Sequence, residues 1–208
     1  MKSAWFLLAL WSLAFAQAEP RLLYTKTFPG SVPAYVAIRV ERNGNGEYRD
    51  APDDERPLKF HLAEADANAL FALVEKMGRL TRPLESPAKV AFMGMKTFRF
   101  EDGAEQNEVK FNFSEDLDAR QLADWFERIN ETEQLLISLE RAAKYDKLGL
   151  NKAILQLEMA MDHKRVIDAD QMLPLLDRVA KNESYINMAR QRAAAIAEAI
   201  RAPSAPKP

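Results

Sequence analysis

Few residues of this chain have the types and spacing that chemistry requires. Across 208 residues there are two histidines, His61 and His163, no cysteine, and 31 aspartates and glutamates. Nucleophilic catalysis needs a nucleophile and a base to activate it. No G-x-S-x-G elbow is present, and Ser31 in FPGSVPAY stands in a Gly/Pro turn with no base near it in sequence. His61 falls on the presumed outer face of a strand beside Lys59, where a solvated imidazole is expected. His163 falls at a helix end before Lys164 and Arg165, where a cation suits the carbonyl end of the helix. Neither sits in an H-x-x-E-H or H-E-x-x-H setting, so no zinc ligand set is visible. Seven glycines and no Gly-rich phosphate loop argue against nucleotide chemistry. The expected catalytic, cofactor-binding and metal-ligating residues are therefore none. Two distant acids facing each other across a cleft are the one catalytic arrangement left open.

The stretch ERNGNGEYRDAPDDE, residues 41–55, is the chain's best metal candidate. Aligned on its glycine, Glu41, Asn43, Asn45 and Gly46 take positions 1, 3, 5 and 6 of an EF-hand loop. Position 12 is then Pro52 where a bidentate Glu is needed, and a strand precedes the loop in place of a helix. Asp50, Asp53 and Asp54 carry suitable oxygens for a hard cation outside that motif. The expectation is instead a tight hairpin turn, with Asn-Gly supplying positive φ and the acids forming a solvated connection.

Two further stretches bear on binding. Phe92, Met93 and Met95 around Gly94 form either an exposed apolar lip or a patch buried against the first helix. Arg79 to Lys89, with Pro83 and Pro87, reads as a loop of the kind an inhibitor presents. Three N-x-S/T sequons, at Asn112, Asn130 and Asn182, are read as chance, since Asn112 falls in a strand and Asn130 in a helix.

The elements that position these residues follow from periodicity. Lys2, the apolar run Ala4 to Ala16 and the small-x-small Ala16-Gln17-Ala18 predict a secretory leader over 1–18, cleaved after Ala18. The run is shorter than the roughly 20 residues a membrane span needs. A periplasmic or secreted protein without a transmembrane segment in its mature chain is expected. AYVAIRVER alternates through Val36, Ile38 and Val40; EYRD returns; PLKFHL presents Leu58, Phe60 and Leu62. A helical stripe of Leu70, Phe71, Leu73, Val74 and Met77 follows from about Glu64, closed by Gly78. MKTFRFE and EVKFNF form two more strands around Asp102-Gly103.

Ser114 or Asp116 caps a long helix with the stripe Leu122, Trp125, Phe126, Ile129, Leu135, Leu136 and Leu139, ending near Tyr145. Its polar section Glu131 to Gln134 leaves room for a bend. Leu150, Ile154, Leu157 and Met161 mark a third helix. Asp170 is expected to cap a fourth with Pro174 in its first turn, and Ser184 a fifth along Ile186, Ala189, Ala193, Ile196, Ala197 and Ile200.

The expected fold is α+β: an antiparallel sheet of about five strands (β-β-β-α-β-β-α) with helices on one face, then three shorter helices. The expected organisation is an α+β domain over 19–145, a helical extension over 146–201 packed on it, and a disordered Pro-rich tail over 202–208. Charge is uneven: residues 19–140 carry 16 basic and 23 acidic side chains, residues 141–201 carry 11 and 8. Two solvated faces account for this, and near-neutral overall charge disfavours nucleic acid as a partner.

At PAYVAIRVERNGNGEYRD, through Pro33, Tyr35, Gly44, Gly46 and Tyr48, the chain resembles exported bacterial domains of unknown function, without the cysteines associated with that pattern. YDKLGLNKAILQLE and MLPLLDRVAKNES likewise look like parts of an exported family. The resemblance implies export and brings no activity to transfer. The expected function is an exported, soluble, non-enzymatic protein that binds a macromolecule, most simply another protein. The alternatives are a secreted inhibitor of an envelope hydrolase and a carboxylate-dependent hydrolase.

Overall fold

The computed structural model describes residues 19–202; the expected leader and the tail from residue 203 lie outside them. The strands are β1 (Arg21–Thr27), β2 (Tyr35–Glu41), β3 (Asn45–Arg49), β4 (Leu58–His61), β5 (Met95–Asp102) and β6 (Glu105–Phe111). The helices are α1 (Glu64–Lys76), α2 (Leu117–Tyr145), α3 (Leu150–Asp162), α4 (Leu173–Lys181) and α5 (Asn187–Arg201). A short 3-10 turn, Ala169–Met172, leads into α4.

The sheet is antiparallel throughout, in the order β4-β3-β2-β1-β5-β6. It has six strands where sequence periodicity indicates five. The added strand, β1, lies in the middle, with Tyr24 opposite both Ile38 and Phe98. RLLYTKT conceals it because only Leu22 and Tyr24 give apolar alternation before Lys26 takes the next inward position.

The buried side of the sheet is built as the alternation dictates. Val36, Ile38, Val40, Phe98, Phe100, Val109 and Phe111 are buried and share a core with Leu70, Phe71 and Val74 of α1 and Leu122, Phe126 and Ile129 of α2. Tyr24 stacks on Phe126 with ring centroids 4.7 Å apart. Gly78 closes α1 at φ +67, the left-handed conformation a helix end favours. Asp116 caps α2, its Oδ1 accepting from the N–H groups of Asp118 and Ala119 at 2.9 and 3.0 Å. The NGNG segment is a turn: Gly44 has φ +90, and Asn43 Oδ1 accepts from the Asn45 N–H.

A second apolar core gathers Leu139 and Ala143 of α2 with Leu150, Ile154, Leu157, Leu176, Val179, Ala193 and Ile196. α2 contributes to both cores. Two capping expectations are corrected. Asp168 adopts φ +52, so the chain tightens into the 3-10 turn and Asp170 lies inside it; Pro174 still falls in the first turn of α4. Ser184 sits in a turn with Asn182 and accepts from Lys147 Nζ, while Ile186 immediately precedes α5 without a side-chain cap.

The polar section of α2 is used for docking the C-terminal helices. Thr132 and Glu133 are buried there. Thr132 Oγ1 accepts from the Ile167 N–H at 3.0 Å, and Ile167 inserts into the core beneath the sheet. Arg165 forms two bonds to Glu131, at 2.8 and 2.9 Å, and one to Asp124 at 2.6 Å. Gln171 Nε2 donates to Glu133 Oε1 at 3.0 Å.

Candidate interaction surface

Between the buried Ser86 and β5, the chain runs through Pro87 to Gly94 without regular structure and mostly exposed. Its apolar side chains face water: Phe92 and Met93 are each 52% exposed, Met95 40%, and Val90 is exposed as well. Of the two readings open to the sequence, the lip is the one realised. Four large apolar side chains within six residues are far more concentrated than the single exposed apolar residues that any surface carries.

The lip is held in place by a few groups beneath it. Asn112, just past β6, uses all of its polar atoms. Its Oδ1 accepts from the Met93 N–H at 2.7 Å and its Nδ2 donates to the Ala91 carbonyl at 3.0 Å. Its own N–H donates to Glu85 Oε2, and its carbonyl accepts from Lys96 Nζ at 3.0 Å. Lys96 Nζ also reaches the Gly94 carbonyl at 3.3 Å. Gly94 has φ +93, and a Cβ there would come within 3.0 Å of Phe28 Cβ. Phe28 in turn braces Phe92 edge to face, centroids 5.9 Å apart. At the other end, Ser86 N–H donates to the Phe113 carbonyl at 2.8 Å, and Ser86 Oγ accepts from the Ala88 N–H.

The sequence marks Phe92, Met93 and Met95 but not the groups that support them. By sequence Asn112 reads as a sequon in a strand; β6 in fact ends at Phe111, which leaves Asn112 free to anchor the loop. The loop Arg79 to Lys89 divides in two. Leu80, Leu84 and Ser86 are buried, and the Arg79 carbonyl accepts from Asn107 Nδ2. The protruding part begins at Pro87 and continues through Met93.

Beneath the lip, Lys26 and Lys96 are cross-strand partners. Lys26 Nζ and the Tyr24 hydroxyl both donate to Glu127 Oε1, at 2.8 and 2.7 Å. Burial, with the Lys26 charge adding to it, lowers the pKa of Lys96. The Tyr24 hydroxyl is pushed up by burial and by Glu127, so it stays a donor to that carboxylate.

Asp50 and Asp54 are tied to neighbouring polar groups. Asp54 Oδ1 accepts from the Arg56 N–H, and Asp50 Oδ2 faces Gln134 Nε2 at 3.5 Å. Among the described residues, no group of three or more His, Cys, Asp or Glu side chains is placed to hold a metal ion, the trio Asp50, Asp53 and Asp54 included. Glu133 and Asp168, both raised in pKa chiefly by burial, are the strongest pair of perturbed acids. Glu133 is 1% exposed, which gives a substrate no approach to it. His61 Nδ1 pairs with Asn45 Oδ1 in an exposed position, and His163 closes α3. Among the described residues, no helix is long and apolar enough to cross a membrane.

Compared with known proteins, the chain matches no family model and no curated sequence.

Proposed function

We propose that the protein is exported, soluble and non-enzymatic, and that it binds another protein through the apolar lip of Val90, Phe92, Met93 and Met95. The observation that carries this reading is the combination of exposure and rigidity. The lip displays more than half of Phe92 and Met93 to water while Asn112 and Lys96 fix its main chain. Aromatic and methionine side chains are enriched in the centre of protein interfaces, and a segment already ordered loses little entropy on docking. The predicted leader supports a location outside the cytoplasm, where a cysteine-free chain must rely on burial for its stability.

The experiment is a pull-down from the native envelope fraction, comparing the wild-type chain with Phe92→Ser/Met93→Ser. The expected result is a protein retained by the wild type and lost by the variant, with both chains equally stable to heat. Equal retention by the two chains removes the lip from the reading.

A further inference from the structure

Taking the lip to be a docking surface, we propose that its partner is an endopeptidase with a large apolar specificity pocket, and that Val90–Met93 enters its cleft as a substrate-like segment led by Phe92. In an extended chain, the carbonyl of one residue and the N–H of the second residue after it point the same way, and the residue between them turns its own N–H and C=O the other way. Asn112 binds a pair with this spacing, the Ala91 carbonyl and the Met93 N–H. Among the described residues, the N–H and C=O of Phe92 have no hydrogen-bond partner. Phe92 therefore has both main-chain groups unbonded beside a half-exposed ring, which is what a cleft that reads extended chains requires.

The chemistry of such a contact is also set by Asn112. The enzyme's hydroxyl or thiol adds to the Phe92 carbonyl carbon, the bond to the Met93 nitrogen breaks, and the nucleophile's proton passes to that nitrogen as the amine leaves. Water would next release the Phe92 carboxylate. Asn112 stays bonded to Ala91 on one side of the cut and Met93 on the other, so the amine remains beside the acyl carbon. Reclosure of the peptide then competes with hydrolysis, and the chain behaves as an inhibitor. Buried Ser86 before the cut and the Lys96 bond to the Gly94 carbonyl after it hold the flanks, and the Phe92 ring leaves its edge contact with Phe28 as it enters the pocket.

The test uses residues 19–208 against chymotrypsin and subtilisin, both of which accept large apolar residues. Inhibition of at least one, with a constant below about 1 μM, is expected. Any cut should fall between Phe92 and Met93. Phe92→Ala should weaken inhibition by about 30-fold or more. Asn112→Ala should be cut at the same bond faster than wild type while inhibiting less. No inhibition of either enzyme, or inhibition unchanged in Phe92→Ala, overturns the proposal. If the pull-down then still shows a partner that depends on the lip, the docking surface stands without this assignment. If neither experiment responds to the lip, both fall.

Discussion

The Oδ1 atom of Asn112 accepts from the main-chain N–H of Met93 at 2.7 Å, so the group that orders the exposed lip belongs to the exit of β6 and not to the lip itself. A side chain 19 residues away sets the conformation of the surface. Asn112→Ala removes this bond and the one to Ala91. Each is worth about 1 kcal/mol net, so a stability loss of roughly 1–2 kcal/mol is expected by chemical denaturation. Hydrogen exchange at Met93 should accelerate far more than exchange at Phe98 in the neighbouring strand. Equal acceleration at both would mean that the variant loosens the whole sheet.

The seam between the two cores should respond to pH. Burial, partly offset by the bond from Gln171 and reinforced by the Asp168 charge, pushes the Glu133 carboxyl up to about 7 from an ordinary 4.5. Gln171 and Asp168 come from the 3-10 turn side, and Tyr48 from the sheet; none of them is a cation. The folded chain thus keeps a proton that the unfolded chain releases. This contribution is fully present below about 4.5 and is lost as pH rises through about 7. Glu133→Gln should flatten the profile and gain on the order of 2 kcal/mol at pH 8, read from urea denaturation at pH 5 and pH 8. A variant less stable than wild type at pH 8 would show that the ionised carboxylate has a role the neutral amide cannot fill.

Ile167 carries the C-terminal helices onto the sheet core. Its side chain is buried among residues of α1, α2 and the strands, and its N–H is satisfied by Thr132. Ile167→Ala should cost about 2–4 kcal/mol, and Thr132→Val about 1–3 kcal/mol by stranding a buried N–H. The double variant should lose less than the sum, because both break one contact. Additive losses in thermal denaturation would separate the two interactions.

Asp116 should act as an ordinary helix cap. Bonds from the Ala119 N–H and from Arg82 hold its carboxyl below the usual range, although its partial burial pushes the other way. Asp116→Ala is expected to cost about 1 kcal/mol, and Asp116→Asn less, in denaturant titrations. Equal losses would assign the effect to charge in place of capping.

Much of the sheet could be read from residue order, since Val36, Ile38 and Val40, or Phe98 and Phe100, alternate without interruption. β1 could not, because a strand with two inward apolar residues followed by Lys26 gives too short a signal. The seam was hidden for a different reason. Thr132 and Glu133 are polar and lie between apolar turns of α2, so their burial depends on Ile167 and Gln171, more than thirty residues later. Phe92, Met93 and Met95 could be recognised as candidates from composition alone. Their exposure could not, because it depends on Asn112, which lies 19 residues beyond Met93 and fixes the main chain of the loop.

Whether the lip is the docking surface is decided by a photoreactive amino acid placed at position 93 in native envelope. One crosslinked partner from position 93 and none from the exposed Leu148 of the C-terminal region is expected. Crosslinking from Leu148 with none from position 93 would contradict it.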